Sequence, residues 1–214
     1  MSESIYKPRP DCQTPGLEWI YSGVFGDKYD GVFVEIGAHD GASWSNTVFL
    51  AELGWRGLYV EPIPELLDRC RGNHKNHPKI TVAQRAVGDG SEVQMMRAGK
   101  TDYAFTGDPF YANLLGAKDV IGMFSTVTLD ELLETYKIPV RFDLLVIDVE
   151  GMEPHVLIGW SSLYWLPKMV IIETHELSPD VNLAKNAHFI NEYFSTYYNK
   201  IYTSEVNTIF IRRY

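Results

Sequence analysis

A chain of 214 residues with 28 acidic against 19 basic side chains and a net charge of -9 can bury one substantial core, and its charge repels both nucleic acid and anionic membranes. Its two cysteines, Cys12 and Cys70, are too few for a disulfide framework and fall in no close metal-binding pair, which suits a reducing interior. No stretch has the length of a membrane span, and the polar opening Met1-Ser2-Glu3-Ser4-Ile5-Tyr6-Lys7-Pro8-Arg9-Pro10 lacks the apolar run of a signal peptide. The expectation is a single cytoplasmic domain over residues 1–214, with an N-terminal extension over about 1–28.

Within that extension, Leu17-Glu18-Trp19-Ile20-Tyr21 with Val24 and Phe25 has the spacing of a short amphipathic helix, and no chemistry is assigned to it. The stretch that organises the chain comes next. Val32-Phe33-Val34-Glu35-Ile36 suits a strand buried on both faces, and Gly37-Ala38-His39-Asp40-Gly41 breaks it into a tight loop. Ser45, Asn46 and Thr47 offer caps to a following helix, so strand, loop and helix start are expected to cradle a nucleotide-like ligand. A dinucleotide fingerprint would need glycine where His39 stands, because a Cβ there crowds a pyrophosphate; the pattern is instead Glu-x-Gly-x-x-x-Gly. Glu35 would repel a pyrophosphate but suits a cationic amino-acid moiety, and S-adenosylmethionine carries both an ammonium and a sulfonium.

Gly57-Leu58-Tyr59-Val60-Glu61-Pro62 is a second buried strand. Glu61 falls about where such folds set an acid against ribose hydroxyls, since one carboxylate can accept from both. A helix from Pro64 to Cys70 follows, and Lys79-Ile80-Thr81-Val82-Ala83-Gln84 predicts a third strand that runs through Arg85-Ala86-Val87 into the turn Gly88-Asp89-Gly90. From Glu92 to Phe124 the periodicity lapses, with Met95, Met96, Tyr103, Phe105, Phe110 and Tyr111 scattered among glycines and polar residues. This is a candidate substrate flap over about 92–124, with an antiparallel extension of the sheet as the alternative. Thr128, with Glu131 three residues on, predicts a capping box at the next helix.

Phe142-Asp143-Leu144-Leu145-Val146-Ile147 makes a central strand that delivers Asp148 and Glu150 at its C-terminal end, before a helix opening around Met152-Glu153-Pro154. Met169-Val170-Ile171-Ile172 likewise runs into Glu173-Thr174-His175. A helix from about Asn182 to Tyr197 and a closing hairpin built on Lys200–Ser204 and Thr208–Ile211 would add an antiparallel strand. Trp160, Tyr164 and Trp165 suit a core or an interface equally, which leaves the oligomeric state open. Glu35, Glu61, Asp148 with Glu150, and Glu173 with His175 therefore gather at one edge of the sheet, the edge where open parallel sheets bind ligands. Crowded like charges there call for a cationic ligand, a metal or another partner to offset them. A magnesium or manganese ion held by Asp148, Glu150, Glu173 and His175 is a second expectation, compatible with so oxygen-rich an edge although no spacing requires it.

Taken together, Glu35-Ile36-Gly37-Ala38-His39-Asp40-Gly41, Ser45-Asn46-Thr47, Gly54-Trp55-Arg56-Gly57, Val60-Glu61-Pro62, Arg85-Ala86-Val87-Gly88, Thr128-Leu129-Asp130-Glu131-Leu132 and Ile147-Asp148-Val149-Glu150-Gly151 resemble the FkbM family of S-adenosylmethionine-dependent methyltransferases, from about Gly31 to His175. The resemblance implies a class I methyltransferase fold: an α/β, Rossmann-like three-layer sandwich on a mostly parallel seven-stranded sheet with an antiparallel last strand. It implies that the methionine moiety lies on Glu35, Gly37 and Gly41, with Ala38, His39 and Ser45 in the same loop. The ribose would lie on Glu61, the adenine near Pro62, Ala86 and Val87, and the reacting centre beside Asp148 and Glu150. Asp148 or His175 is expected as general base, with Glu150 and Glu173 positioning the hydroxyl or the base. The expected function is S-adenosylmethionine-dependent O-methylation of a small-molecule hydroxyl, with a saccharide as acceptor. An NAD-dependent oxidoreductase and a non-catalytic nucleotide-binding module are the alternatives.

Overall fold

The computed structural model describes residues 4–97, 104–106 and 119–213. Helix α1 (Leu17–Phe25) precedes β1 (Val32–Ile36), and α2 (Val48–Glu52), β2 (Arg56–Val60), α3 (Pro64–Asn73) and β3 (Ile80–Ala83) follow in alternation. Four strands then come in succession: β4 (Ala86–Gly88), β5 (Glu92–Arg97), β6 (Ala104–Thr106) and β7 (Asp119–Thr128). Alternation resumes with α4 (Leu129–Thr135), β8 (Arg141–Ile147), α5 (Glu153–Ile158), β9 (Leu166–Glu173) and α6 (Val181–Ser195), and the hairpin β10 (Tyr198–Thr203) and β11 (Asn207–Arg212) closes the chain.

The main sheet has seven strands in the order β3-β2-β1-β8-β9-β11-β10. The strands from β3 to β9 are parallel, and β11 runs antiparallel to both of its neighbours, so the last strand in sequence lies one place in from the edge. The apolar runs explain why this sheet is covered on both sides. Successive side chains of a strand point to opposite faces. Val34, Ile36, Leu145, Ile147, Val170 and Ile172 enter one core with Leu132, Val156 and Phe194 of α4, α5 and α6. Phe33, Leu144, Val146, Met169 and Ile171 enter another with Tyr21 of α1, Phe49 of α2 and Cys70 of α3. Three layers result. Trp160 and Trp165 belong to the first core, whereas Tyr164 is exposed.

Several expectations are corrected. The third strand does not continue through Arg85-Ala86-Val87: β3 ends at Ala83, and β4 pairs in parallel with β7 in a separate four-stranded sheet ordered β4-β7-β5-β6. Thr126 holds the turn after β4, its hydroxyl bonded to the Ser91 carbonyl (2.7 Å) and the Gly90 amide (3.1 Å). The described part of the 92–124 stretch supplies antiparallel strands of that second sheet, and Met95 is buried with Ile63, Leu66 and Ala86. Tyr103, Phe110 and Tyr111 lie outside the described residues. Helix α2 starts at Val48, well after the glycine loop, because Asp40 first folds the intervening chain by accepting from the amides of Ala42 (2.9 Å) and Ser43 (2.8 Å). Helix α6 stops at Ser195, short of Tyr197. At α4 the expected capping box between Thr128 and Glu131 is present.

Candidate active site

Strand order in the main sheet reverses between β1 and β8, and the chain leaves both strands there, opening a crevice beyond their C-terminal ends. A cleft of about 260 Å³ occupies it. Gly37 shows how closely the two chains approach: at φ +81°, a Cβ on it would sit 1.6 Å from the Asp148 carbonyl oxygen. Only glycine fits, and the reason is packing of backbone on backbone. The amides of Gly37 and Ala38 both donate to the Val60 carbonyl (3.0 Å each), which ties the loop to β2.

Glu35 shares the face of Phe33 on β1 and is buried. Its Oε2 accepts from the Thr47 hydroxyl, which also bonds the Tyr59 hydroxyl (2.9 Å), and lies 3.4 Å from Ser45 Oγ. Burial pushes its carboxyl up to about 8, against the pull of those hydroxyls. Glu61, at the end of β2, accepts from the His39 amide on Oε2 and the Ile63 amide on Oε1, both at 2.9 Å. Burial raises it to about 7. Asp148 donates its amide to the Ile36 carbonyl (2.9 Å), and its Oδ2 accepts from Gln13 Nε2 (3.0 Å). Burial raises its carboxyl above the usual range. Glu150 follows in a left-handed conformation (φ +53°) and is raised to about 8 by burial and by Asp148 beside it.

The four expected catalytic side chains therefore divide into two pairs. Asp148 and Glu150 line the cleft together with Glu35, Gly37, Ala38, His39, Ser45, Glu61, Pro62, Ala86 and Val87. Glu173 and His175 are not in that lining. Burial raises Glu173 well above the usual range, with Asp148, Glu150 and Glu153 adding to it; its carboxyl bonds that of Glu153, and its Oε1 lies 2.8 Å from His175 Nε2. His175 in turn bonds the Glu205 carbonyl, and burial lowers its pKa. Gly41 also faces away: its carbonyl lies 2.7 Å from His74 Nε2, and a Cβ on it would meet Cys70 Sγ at 2.6 Å. Among the described residues, no three His, Cys, Asp or Glu side chains converge as a metal would require.

Sequence reasoning missed Gln13, Trp44, Ile63, Arg85, Met95 and Met152 as lining residues. Gln13 comes from the extension, where a polar residue among prolines carries no signal, and Met95 was visible only as part of the irregular stretch. The result is a cleft of two characters. One end, at β1 and β8, is acidic; the other, lined by Ile63, Ala86, Val87 and Met95, is apolar, and Glu61 stands between them on β2.

A seven-stranded α/β sheet with one antiparallel strand, and a cleft at its switch point, has the class I, Rossmann-like methyltransferase architecture. The model of the FkbM methyltransferase domain matches residues 35–202, and the chain belongs to that family of methyltransferases. Solved structures agree in fold. A Staphylococcus aureus protein assigned as a caffeoyl-CoA O-methyltransferase has 12% identity and a TM-score of 0.55, covering 96% of this chain and 86% of its own. A Klebsiella pneumoniae protein assigned as an O-methyltransferase has 13% identity and a TM-score of 0.54, covering 92% and 78%. A Bacillus cereus O-methyltransferase in complex with SAH has 14% identity and a TM-score of 0.51, covering 97% and 83%. No curated protein matches the sequence. Nothing in these matches supports the oxidoreductase alternative. Among the described residues, no helix is long and apolar enough to cross a membrane.

Proposed function

We propose that this methyltransferase uses S-adenosylmethionine to methylate a hydroxyl of a saccharide or related small molecule. The observation that carries the proposal is the charge of the cleft: Glu35, Glu61, Asp148 and Glu150 are crowded along it, with Arg85 the one Lys or Arg of its lining among the described residues. Burial leaves these carboxyls short of counter-charge, and a ligand with cationic groups supplies it. Glu35 and Asp148 would hold the ammonium end. Glu61 would accept the ribose hydroxyls, because each of its oxygens already takes one backbone amide and keeps a second lone pair. Ile63, Ala86, Val87 and Met95 would enclose the adenine.

When bound, the cofactor supplies an electrophilic methyl group on sulfur. The chain itself must aim the acceptor oxygen and remove its proton as the new bond forms. Asp148 is our choice of base, since it borders the cleft and burial raises its carboxyl above the usual range, which makes it a stronger base than an exposed aspartate. Glu150 orients the hydroxyl. His175 and Glu173 act at one remove, through the Glu153 carboxyl that accepts from the amides of Val149 (2.9 Å) and Gly151 (3.3 Å) and so shapes the turn carrying Glu150. Two features support a sugar: the protein's net charge of -9 disfavours phosphorylated acceptors, and Trp44, 48% exposed and bordering the cleft, offers an aromatic face to a sugar ring.

The test is transfer of a labelled methyl group from S-adenosylmethionine to a panel of monosaccharides and glycosides. Label should appear on a hydroxyl oxygen, and Asp148→Asn should slow the transfer by roughly 10²- to 10⁴-fold. Incorporation only into nitrogen or carbon acceptors would contradict the proposal.

A further inference from the structure

The N-terminal extension reaches the reacting end of the cleft. The Gln13 amide donates to the Trp44 carbonyl (3.2 Å), and Arg9 pairs with Glu52 (2.7 Å), so this segment lies along the loop between β1 and α2. From there the Gln13 side chain joins the loop before α2 to the ends of two strands. Its Oε1 accepts from Asn46 Nδ2 (3.1 Å), in the loop after β1, and from Asn207 Nδ2 (2.7 Å), at the start of β11. Its Nε2 donates to Asp148 Oδ2 (3.0 Å), just after β8.

Two N–H donors on Oε1 dictate which way the amide faces, because an NH₂ group in that place would oppose both. The donor end must therefore point at Asp148, and a proton on Oδ2 would find no acceptor there. We infer that Gln13 is a positioning residue that fixes Asp148 Oδ2 as an acceptor and stabilises the ionised carboxylate, so that the N-terminal segment completes the site. The inference deepens the proposed function, since it rests on Asp148 as the general base. The surroundings make such a donor necessary. Glu35 and Glu61 face Asp148 from β1 and β2, Glu150 and Glu153 from the turn and helix after it, and Glu173 from β9. All of these push it towards its protonated form when ionised, whereas His39 and His175 pull the other way when charged.

Two substitutions separate the electrostatic role from mere anchoring. Gln13→Glu keeps acceptor oxygens for Asn46 and Asn207, and so the anchor, but removes the donor and adds a like charge. Gln13→Met keeps the length of the side chain and removes all three bonds. The ligand-free proteins, carrying ¹³C-labelled aspartate carboxyls, are titrated by NMR, with Asp148→Asn identifying the resonance. The Asp148 midpoint should rise by about one pH unit or more in both variants, further in Gln13→Glu, and the acid limb of kcat/KM should move up with it. An unmoved midpoint in folded Gln13→Glu would overturn the inference. A raised midpoint with an unmoved rate profile would uphold the role of Gln13 and remove Asp148 as base, so the two failures are distinct.

Discussion

The two walls of the cleft come from different sheets and would hold a ligand by different means. The wall at β1 and β8 carries Glu35, Asp148 and Glu150, polar groups buried at the expense of stability. The wall that includes β4 and β5 carries Ala86, Val93 and Met95, which pack as an ordinary small core with Ile63, and Val87, which joins the large core. Buried carboxylates with raised pKa values gather at functional sites more than elsewhere. On the proposed function the first wall would recognise charge and the second shape, and each wall can be broken separately.

The largest effect is expected where the acidic wall is closed by backbone. Gly37→Ala places a Cβ on the Asp148 carbonyl, and we expect at least about 4 kcal/mol of lost stability or no folding at all, read from urea denaturation. Next comes Glu35→Gln, which leaves the packing and removes the charge. Affinity for S-adenosylmethionine should fall roughly 10- to 100-fold by calorimetry, while the ligand-free protein at pH 8 should melt no lower than the parent. Met95→Ala inverts that pattern. It should cost about 2 kcal/mol of stability, yet change affinity less than tenfold.

The remaining effect is a pH trend. Glu35 and Glu150 at about 8, with Glu61 and Glu153 at about 7, hold protons more tightly in the folded chain than their usual 4.5 allows. The stability they contribute is complete below the unfolded value and is lost as the pH rises through 7 to 8. The ligand-free protein should thus lose on the order of several °C in Tm between pH 6 and pH 9, and Glu35→Gln should flatten the slope. A slope of the opposite sign would show that the acids are already neutralised from within.

The sequence made the first wall easier to read than the second. Long Leu, Val and Ile runs that end in an acid show both a doubly covered strand and the residue at its C-terminal tip, so Glu35, Glu61 and Asp148 could be placed at one edge from local pattern alone. Where side chains turn after that tip depends on partners far along the chain. Glu173 and His175 leave the cleft because Glu153 and the Glu205 carbonyl engage them, and Gly41 turns to His74 for a similar reason. The second wall was obscured by small residues. Ala86-Val87-Gly88 can continue β3 or start a new sheet, and only the pairing with Thr126-Val127-Thr128, some forty residues later, decides. Gln13 had no local signature at all, since its three partners are 33, 135 and 194 residues away.

The most direct test of the central claim, that buried acids in this cleft await a cationic adenosyl cofactor, is calorimetric titration with S-adenosylmethionine at pH 6 and pH 7.5 in buffers of different ionisation enthalpy, with NAD as control. The account predicts binding that releases protons and tightens between the two pH values, as Glu35 and its neighbours give up protons to face the ligand's charge, and no binding of NAD. Binding of NAD, or S-adenosylmethionine binding without proton release or pH dependence, would contradict it.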